Sequence, residues 1–138
     1  MINVTEKMEI SELLNKSSYA LDERKLELLG DCFAKDAVMS VRIGGGDLIG
    51  PFDGHKEIMK LMKDSMDTQT DQRRHIISNL FFEKEEKEIA TVVSYLSLFA
   101  TENGEIHLLT TGIYRDEVAK VDGEWKINKR HLDLELPY

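Results

Sequence analysis

The sequence predicts an α+β domain in which three helices precede an antiparallel sheet and pack on it. Three observations predict it. All three stretches in which apolar residues recur at helical spacing lie before Asp71. Beyond that point the chain reads as strands cut by hairpin signals. The 138 residues, 41% of them hydrophobic, suffice for one core and not for two, so residues 1–138 are expected to form a single domain.

Ile10, Leu13, Leu14 and Leu21, with Ser17 on the same arc, make the one-sided stripe of a first amphipathic helix. Glu6 and Glu9 suit its first turn, where negative charge meets the positive end of the helix dipole. A second helical pattern runs through Leu26, Leu29, Cys32 and Phe33 and ends before Asp36. From Ala37 to Ile43 the pattern alternates, with Ala37, Met39, Val41 and Ile43 on one side, as in a half-buried strand. Gly44, Gly45 and Gly46 break it, and Gly50, Pro51 and Gly54 predict an irregular connection. A third helix then buries Ile58, Leu61, Met62, Ser65 and Met66, capped by Asp53 or Gly54.

His75 to Phe82 reads as a strand, Glu83 to Glu88 as a charged turn and Ile89 to Thr101 as the next strand. Glu102-Asn103-Gly104 is a hairpin signal, Ile106 to Tyr114 a further strand, and Asp122-Gly123 turns the chain into a last strand from Trp125. In the middle strands alternation fails: Val92, Val93, Tyr95, Leu96, Leu98 and Phe99 occupy both faces, as do Leu108, Leu109, Ile113 and Tyr114. Both faces of the sheet must therefore be covered. The helices cover one, and the simplest cover for the other is a second copy of the chain. In the last strand Trp125 and Ile127 share one parity and Leu132, Leu134 and Leu136 the other, which predicts a bulge or bend near Asn128 to Arg130.

Charge and composition exclude several classes. With 18 Lys and Arg against 26 Asp and Glu the net charge is −8, without a basic stripe, which argues against nucleic acid or an anionic membrane surface as partner. No apolar run approaches the ~18 residues of a membrane span. Cys32 is the only cysteine, so neither an internal disulfide nor a thiolate metal site can form, and a reducing, cytoplasmic location is expected. His55, His75, His107 and His131 show no paired ligand spacing, and no metal is expected. The glycines at 44 to 46 lack the residues of a phosphate-binding loop and read better as a mobile loop near Phe52.

Three segments, in this order and spacing, resemble signatures of the SnoaL-like proteins of the nuclear transport factor 2-like superfamily. The first is Tyr19-Ala-Leu-Asp22-Glu-Arg-Lys-Leu26 followed by Phe33-Ala-Lys-Asp36-Ala37-Val38, the second Arg74-His75-Ile-Ile-Ser-Asn79, and the third the closing Asp122-Gly-Glu-Trp125-Lys-Ile127. The resemblance covers essentially the whole chain. It implies a cone-shaped α+β barrel with a strongly curved sheet, an apolar pocket open at one end, and a homodimer through the outer sheet face. Members include scytalone and bile acid dehydratases, polyketide cyclases, ketosteroid isomerase, and the non-catalytic small subunits of ring-hydroxylating dioxygenases. Fold alone does not choose among them.

Asp22 lies on the border of the buried face of the first helix, where a carboxylate can point inward or simply cap the helix end. The resemblance implies that Asp22 and His75 project into the pocket as a general acid/base pair. A histidine with an ordinary pKa near ~6.5 can take and return a proton, while a carboxylate fixes its tautomer. Such a pair needs no cofactor. It suits dehydration or isomerisation of a small hydrophobic hydroxy-carbonyl, steroid-like or polyketide-like compound. Ser18, Asn79, Tyr95 and Thr110 are expected to offer hydrogen bonds in the pocket, and Met39, Phe52 and Met62 apolar wall. Two departures weigh toward the alternative, a non-catalytic ligand-binding or structural subunit resembling the dioxygenase small subunit. The dehydratase tyrosine positions hold Leu21 and Ser17, and the strand after the charged turn has Val93, Ser94 and Tyr95 where a second His or Asp is expected. An epoxide hydrolase-like site would need a second carboxylate and an arginine, and Arg42 and Arg73 carry no assigned role.

Overall fold

The chain enters α1 (Val4–Asp22) through a reciprocal cap: the Asn3 side chain accepts from the Glu6 N–H at 2.8 Å, and Glu6 reaches back to the Asn3 N–H. This cap starts the helix well before the apolar stripe at Ile10. The computed structural model describes residues 1–138. After α1 come α2 (Leu26–Asp31), β1 (Phe33–Ile43), β2 (Ile49–Asp53), α3 (His55–Thr68), β3 (Gln72–Glu85), β4 (Ile89–Glu102), β5 (Glu105–Val121) and β6 (Glu124–Leu134). No helix is long and apolar enough to cross a membrane.

The six strands form one curved sheet in the order β2-β1-β6-β5-β4-β3, antiparallel except for the β1–β6 pair. The curved sheet does not close. β2 and β3 are its edges, α1 packs on β3 and β6, and α3 packs on β1 and β2. The expected barrel is thus a wrapped open sheet with helices completing the wall. β2 replaces the irregular connection expected around Gly50 and Pro51. Met39 pairs with Phe52 and Val41 with Ile49, on an edge where a proline does not remove a ladder bond from a central strand.

Two irregularities set which side chains face inward. In β6 the register slips at Asn128, since Glu117 pairs with Lys129 but Val118 with Ile127. This moves burial from Trp125 and Ile127 to Arg130, Leu132 and Leu134, as the parity of the sequence predicts. In β3 the register slips between Ser78 and Phe81, where Asn79 adopts a left-handed φ of 53°. A large core, including Ile10, Leu14, Ile58, Val92 and Ile127, lies between helices and sheet. A smaller cluster of Leu96, Leu98, Tyr114, Leu132 and Leu134 lies toward one end. The outer face of β3, β4 and β5 leaves Ile76, Phe81, Tyr95, Leu108 and Ile113 exposed.

Candidate active site

Asp22 is the last residue of α1, and the following turn brings it against the start of β3. Gln72 Nε2 donates to the Asp22 carbonyl at 3.0 Å, tying helix end to strand. The carboxylate then grips one residue twice: Oδ2 accepts the backbone N–H of His75 at 2.8 Å, and Oδ1 lies 2.5 Å from His75 Nδ1. Both side chains are buried, at 6% and 7% exposure for His75 and Asp22. A carboxylate only accepts, so in the neutral imidazole the proton sits on Nδ1 and Nε2 is left as the basic nitrogen. His75 lines a cavity of about 320 Å³.

The cavity opens where the large core and the smaller cluster do not meet. One wall is Met39, Val41 and Ile43 of β1 with Phe52 of β2, and α3 adds Leu61 and Met62. The neighbouring strands β6 and β5 continue this wall with Leu132, Leu134 and Tyr114, since Val41 pairs with Leu132, Ile43 with Leu134 and Leu132 with Tyr114. Pro137 and Tyr138 cover one side, held there because Leu136 N–H donates to Thr110 Oγ1 at 3.1 Å and Glu135 N–H to the Thr111 carbonyl at 2.9 Å. The remaining polar groups are few: Ser65, Gln69, Arg73 and His75, with the two phenols. A mostly apolar cavity with a handful of convergent polar groups is the usual form of a small-molecule site.

Tyr114 brings a phenol that the dehydratase positions lack. It is 3% exposed and lines the cavity, with the guanidinium of Arg130 4.4 Å below its ring. Burial pushes its pKa well above the ordinary phenol value, and the nearby Arg130 charge offsets only part of that. The phenol therefore stays a neutral donor. Arg130 is itself fixed by a bidentate pair with Asp116, at 2.8 and 3.2 Å. Burial alone works against its charge, and the Asp116 carboxylate more than restores it. At the chain end the half-exposed Tyr138 is raised as well, by partial burial that outweighs the Arg73 guanidinium 4.9 Å from its ring centre.

The structure brings Asp22, His75, Met39, Phe52 and Met62 together, Asp22 standing behind His75 rather than at the wall. Four expected pocket residues lie elsewhere. Ser18 is buried under α1, where its hydroxyl finds no partner. Asn79 is exposed because it supplies the left-handed residue of the β3 bulge. Tyr95 is 51% exposed, because the strand alternation sends it to the outer face between Ser78 and Ile113. Thr110 is buried outside the cavity, its hydroxyl donating to the Thr111 carbonyl while it receives the Leu136 N–H. His55, the first residue of α3, donates to the Gly30 carbonyl at 2.8 Å and joins α3 to α2. Arg73 and Tyr138 are additions. Arg73 shares strand parity with His75, a signal already present in the sequence, whereas nothing local to the chain end marks Tyr138.

The profile of the SnoaL-like domain matches residues 3–131. The chain belongs to the SnoaL-like family. Solved structures share its fold over nearly its full length. A protein of cystatin-like fold from Nostoc punctiforme superposes with a TM-score of 0.82 at 23% identity, covering 99% of this SnoaL-like chain and 97% of the other. A protein assigned as the beta subunit of an aromatic-ring-hydroxylating dioxygenase, from Novosphingobium aromaticivorans, gives 0.82 at 17% identity, covering 95% and 90%. A protein from Catenulispora acidiphila, solved in complex with S-DNPA, gives 0.81 at 22% identity, covering 96% and 95%. At such identities these likenesses establish the fold. No curated protein sequence matches this SnoaL-like chain.

Proposed function

We propose that the protein is a cofactor-independent lyase or isomerase that moves a proton on a small hydrophobic hydroxy-carbonyl compound, with His75 as acid/base and Asp22 as its positioning residue. The observation that carries this reading is the buried 2.5 Å contact of Asp22 with His75 at the wall of an apolar cavity. His75 Nε2 takes the proton beside the carbonyl, and Asp22 stabilises the imidazolium that forms. The electron pair of the broken C–H bond enters a C=C bond. In dehydration the C–O bond then breaks and the imidazolium returns its proton to the departing hydroxyl, which leaves as water. Tyr114 is suited to donate to the carbonyl oxygen as negative charge develops on it. The apolar walls exclude water from the intermediate.

The test is turnover of a panel of β-hydroxy ketones, steroid enones and hydroxyacyl thioesters by wild type and His75→Ala. The expected result is turnover of one class, lost by about 10²–10⁴-fold in the variant. A wild-type protein that binds an apolar ligand tightly and turns over none of the panel overturns the catalytic reading in favour of a binding subunit. The same proposal includes a homodimer through the outer sheet face, where the contiguous apolar set around Tyr95 and Leu108 otherwise meets water.

A further inference from the structure

The cavity wall departs from the charge of the chain that builds it. The chain holds 26 acidic residues and a net charge of −8, yet none of the 17 residues lining the cavity is Asp or Glu, while Arg73 is a permanent cation. The nearby carboxylates, Asp22 and Asp71, are not part of the wall, and each is engaged by its partner, His75 and Arg73 respectively.

Two arginines of the fold are largely buried, and they are held differently. Arg130 meets Asp116 with both Nε and Nη2, so its fork is used by the fold. Arg73 meets Asp71 through Nε alone, at 3.1 Å, with its side chain 14% exposed. Its guanidinium carbon lies 4.9 Å from the Tyr138 ring centre, and Nη1 and Nη2 have no acceptor in the protein. His75 follows two residues along β3 on the same strand face, about 7 Å away at the usual strand rise.

We propose that the compound this cavity takes is a hydrophobic carboxylic acid in its anionic form. Its carboxylate is received by Nη1 and Nη2 of Arg73, and its reacting carbon lies a few bonds away at His75. The placement of the reacting carbon rests on the catalytic reading of His75, and the carboxylate preference is read by binding alone.

The experiment is calorimetric titration of the full chain with matched pairs of aromatic and alicyclic carboxylic acids and their carboxamides, naphthoic acid and naphthamide among them. Each pair has one shape and differs in charge. Wild type is expected to prefer the acid by about tenfold or more, the usual worth of a charge-assisted hydrogen bond. Arg73→Gln is expected to erase that preference and leave amide affinity unchanged. Asp71→Asn keeps an oxygen that accepts from the Nε of Arg73 but removes the competing negative charge, so it keeps or enlarges the preference, whereas a merely structural ion pair would make both variants behave alike. Equal binding of acid and amide by wild type overturns the inference, as does an equal loss of both in Arg73→Gln. Binding of no pair removes the inference together with the cavity as a ligand site. A carboxylate preference carried by Arg73 with no turnover of carboxylic acids that also carry a β-hydroxy ketone keeps the preference and removes the catalytic reading.

Discussion

Replacing Asp22 by Asn changes one oxygen of the carboxylate into an amide nitrogen, and the hydrogen bonds around it fix which way the amide must turn. Asp22 accepts two hydrogen bonds, from the His75 backbone N–H at 2.8 Å and from the ring Nδ1 at 2.5 Å. The backbone N–H cannot become an acceptor, so the amide oxygen must turn to it. The amide NH₂ then faces Nδ1, which must accept, and the neutral ring has to carry its proton on Nε2. The nitrogen at the cavity turns from base to donor. Activity on any substrate that requires proton abstraction should fall by about 10²–10⁴-fold, the usual worth of general acid/base catalysis. Both hydrogen bonds are re-made but neither is any longer charge-assisted, at a cost of about 1–3 kcal/mol in stability, which leaves a marginally stable domain folded if it starts near 5–15 kcal/mol. The direct assay is nitrogen-15 NMR of the imidazole, on the basic side of the ordinary histidine range (~6.5). Wild type should show a protonated Nδ1 and a bare Nε2, and Asp22→Asn the reverse. A variant that keeps its proton on Nδ1 refutes the argument, whatever its activity.

Tyr114→Phe removes the donor assigned to the carbonyl while leaving the ring over Arg130, so the fold should hold and kcat should fall by about 10²–10³-fold with little change in KM. Its phenol is raised by burial, so it stays protonated as pH climbs while the unfolded chain ionises near ~10. Stability is accordingly lost above that pH, and Tyr114→Phe should lessen this alkaline loss and delete a late step from the ultraviolet titration. At the outer face, Tyr95→Lys with Leu108→Lys places charges in the middle of the exposed apolar set. Sedimentation should give twice the 15.8 kDa chain mass for the wild type and the single chain for the variant, and a wild-type monomer at micromolar concentration defeats the homodimer.

The helices and the parity switch of β6 were legible because each is a local period: Trp125 and Ile127 against Leu132 and Leu134 already require an extra residue, and Asn128 is that residue. β2 was not, because Gly50 and Pro51 are tolerated only where the strand forms an edge, a property of its neighbours rather than of its sequence. β5 runs past Tyr114 for a similar reason. Arg115-Asp116-Glu117 ends the apolar pattern, and Asp116 is buried within the strand only because Arg130 meets it from β6. The site follows the same division. Asp22 and His75 were found through a resemblance spanning the chain, and Met39 and Met62 through their stripes, whereas Asn79 and Tyr95 were misplaced because a bulge in one strand and the facing of the next decide which side meets the cavity. Tyr114 and Tyr138 reach that cavity from a middle strand and the chain end, so no spacing in the sequence connects them to His75. Tyr114 thus sets a phenol at the cavity from another strand of the sheet, whereas the helix positions hold Leu21 and Ser17. The chemistry of this pocket therefore has to be inferred from which groups converge on His75 Nε2 rather than from the motif that contains His75.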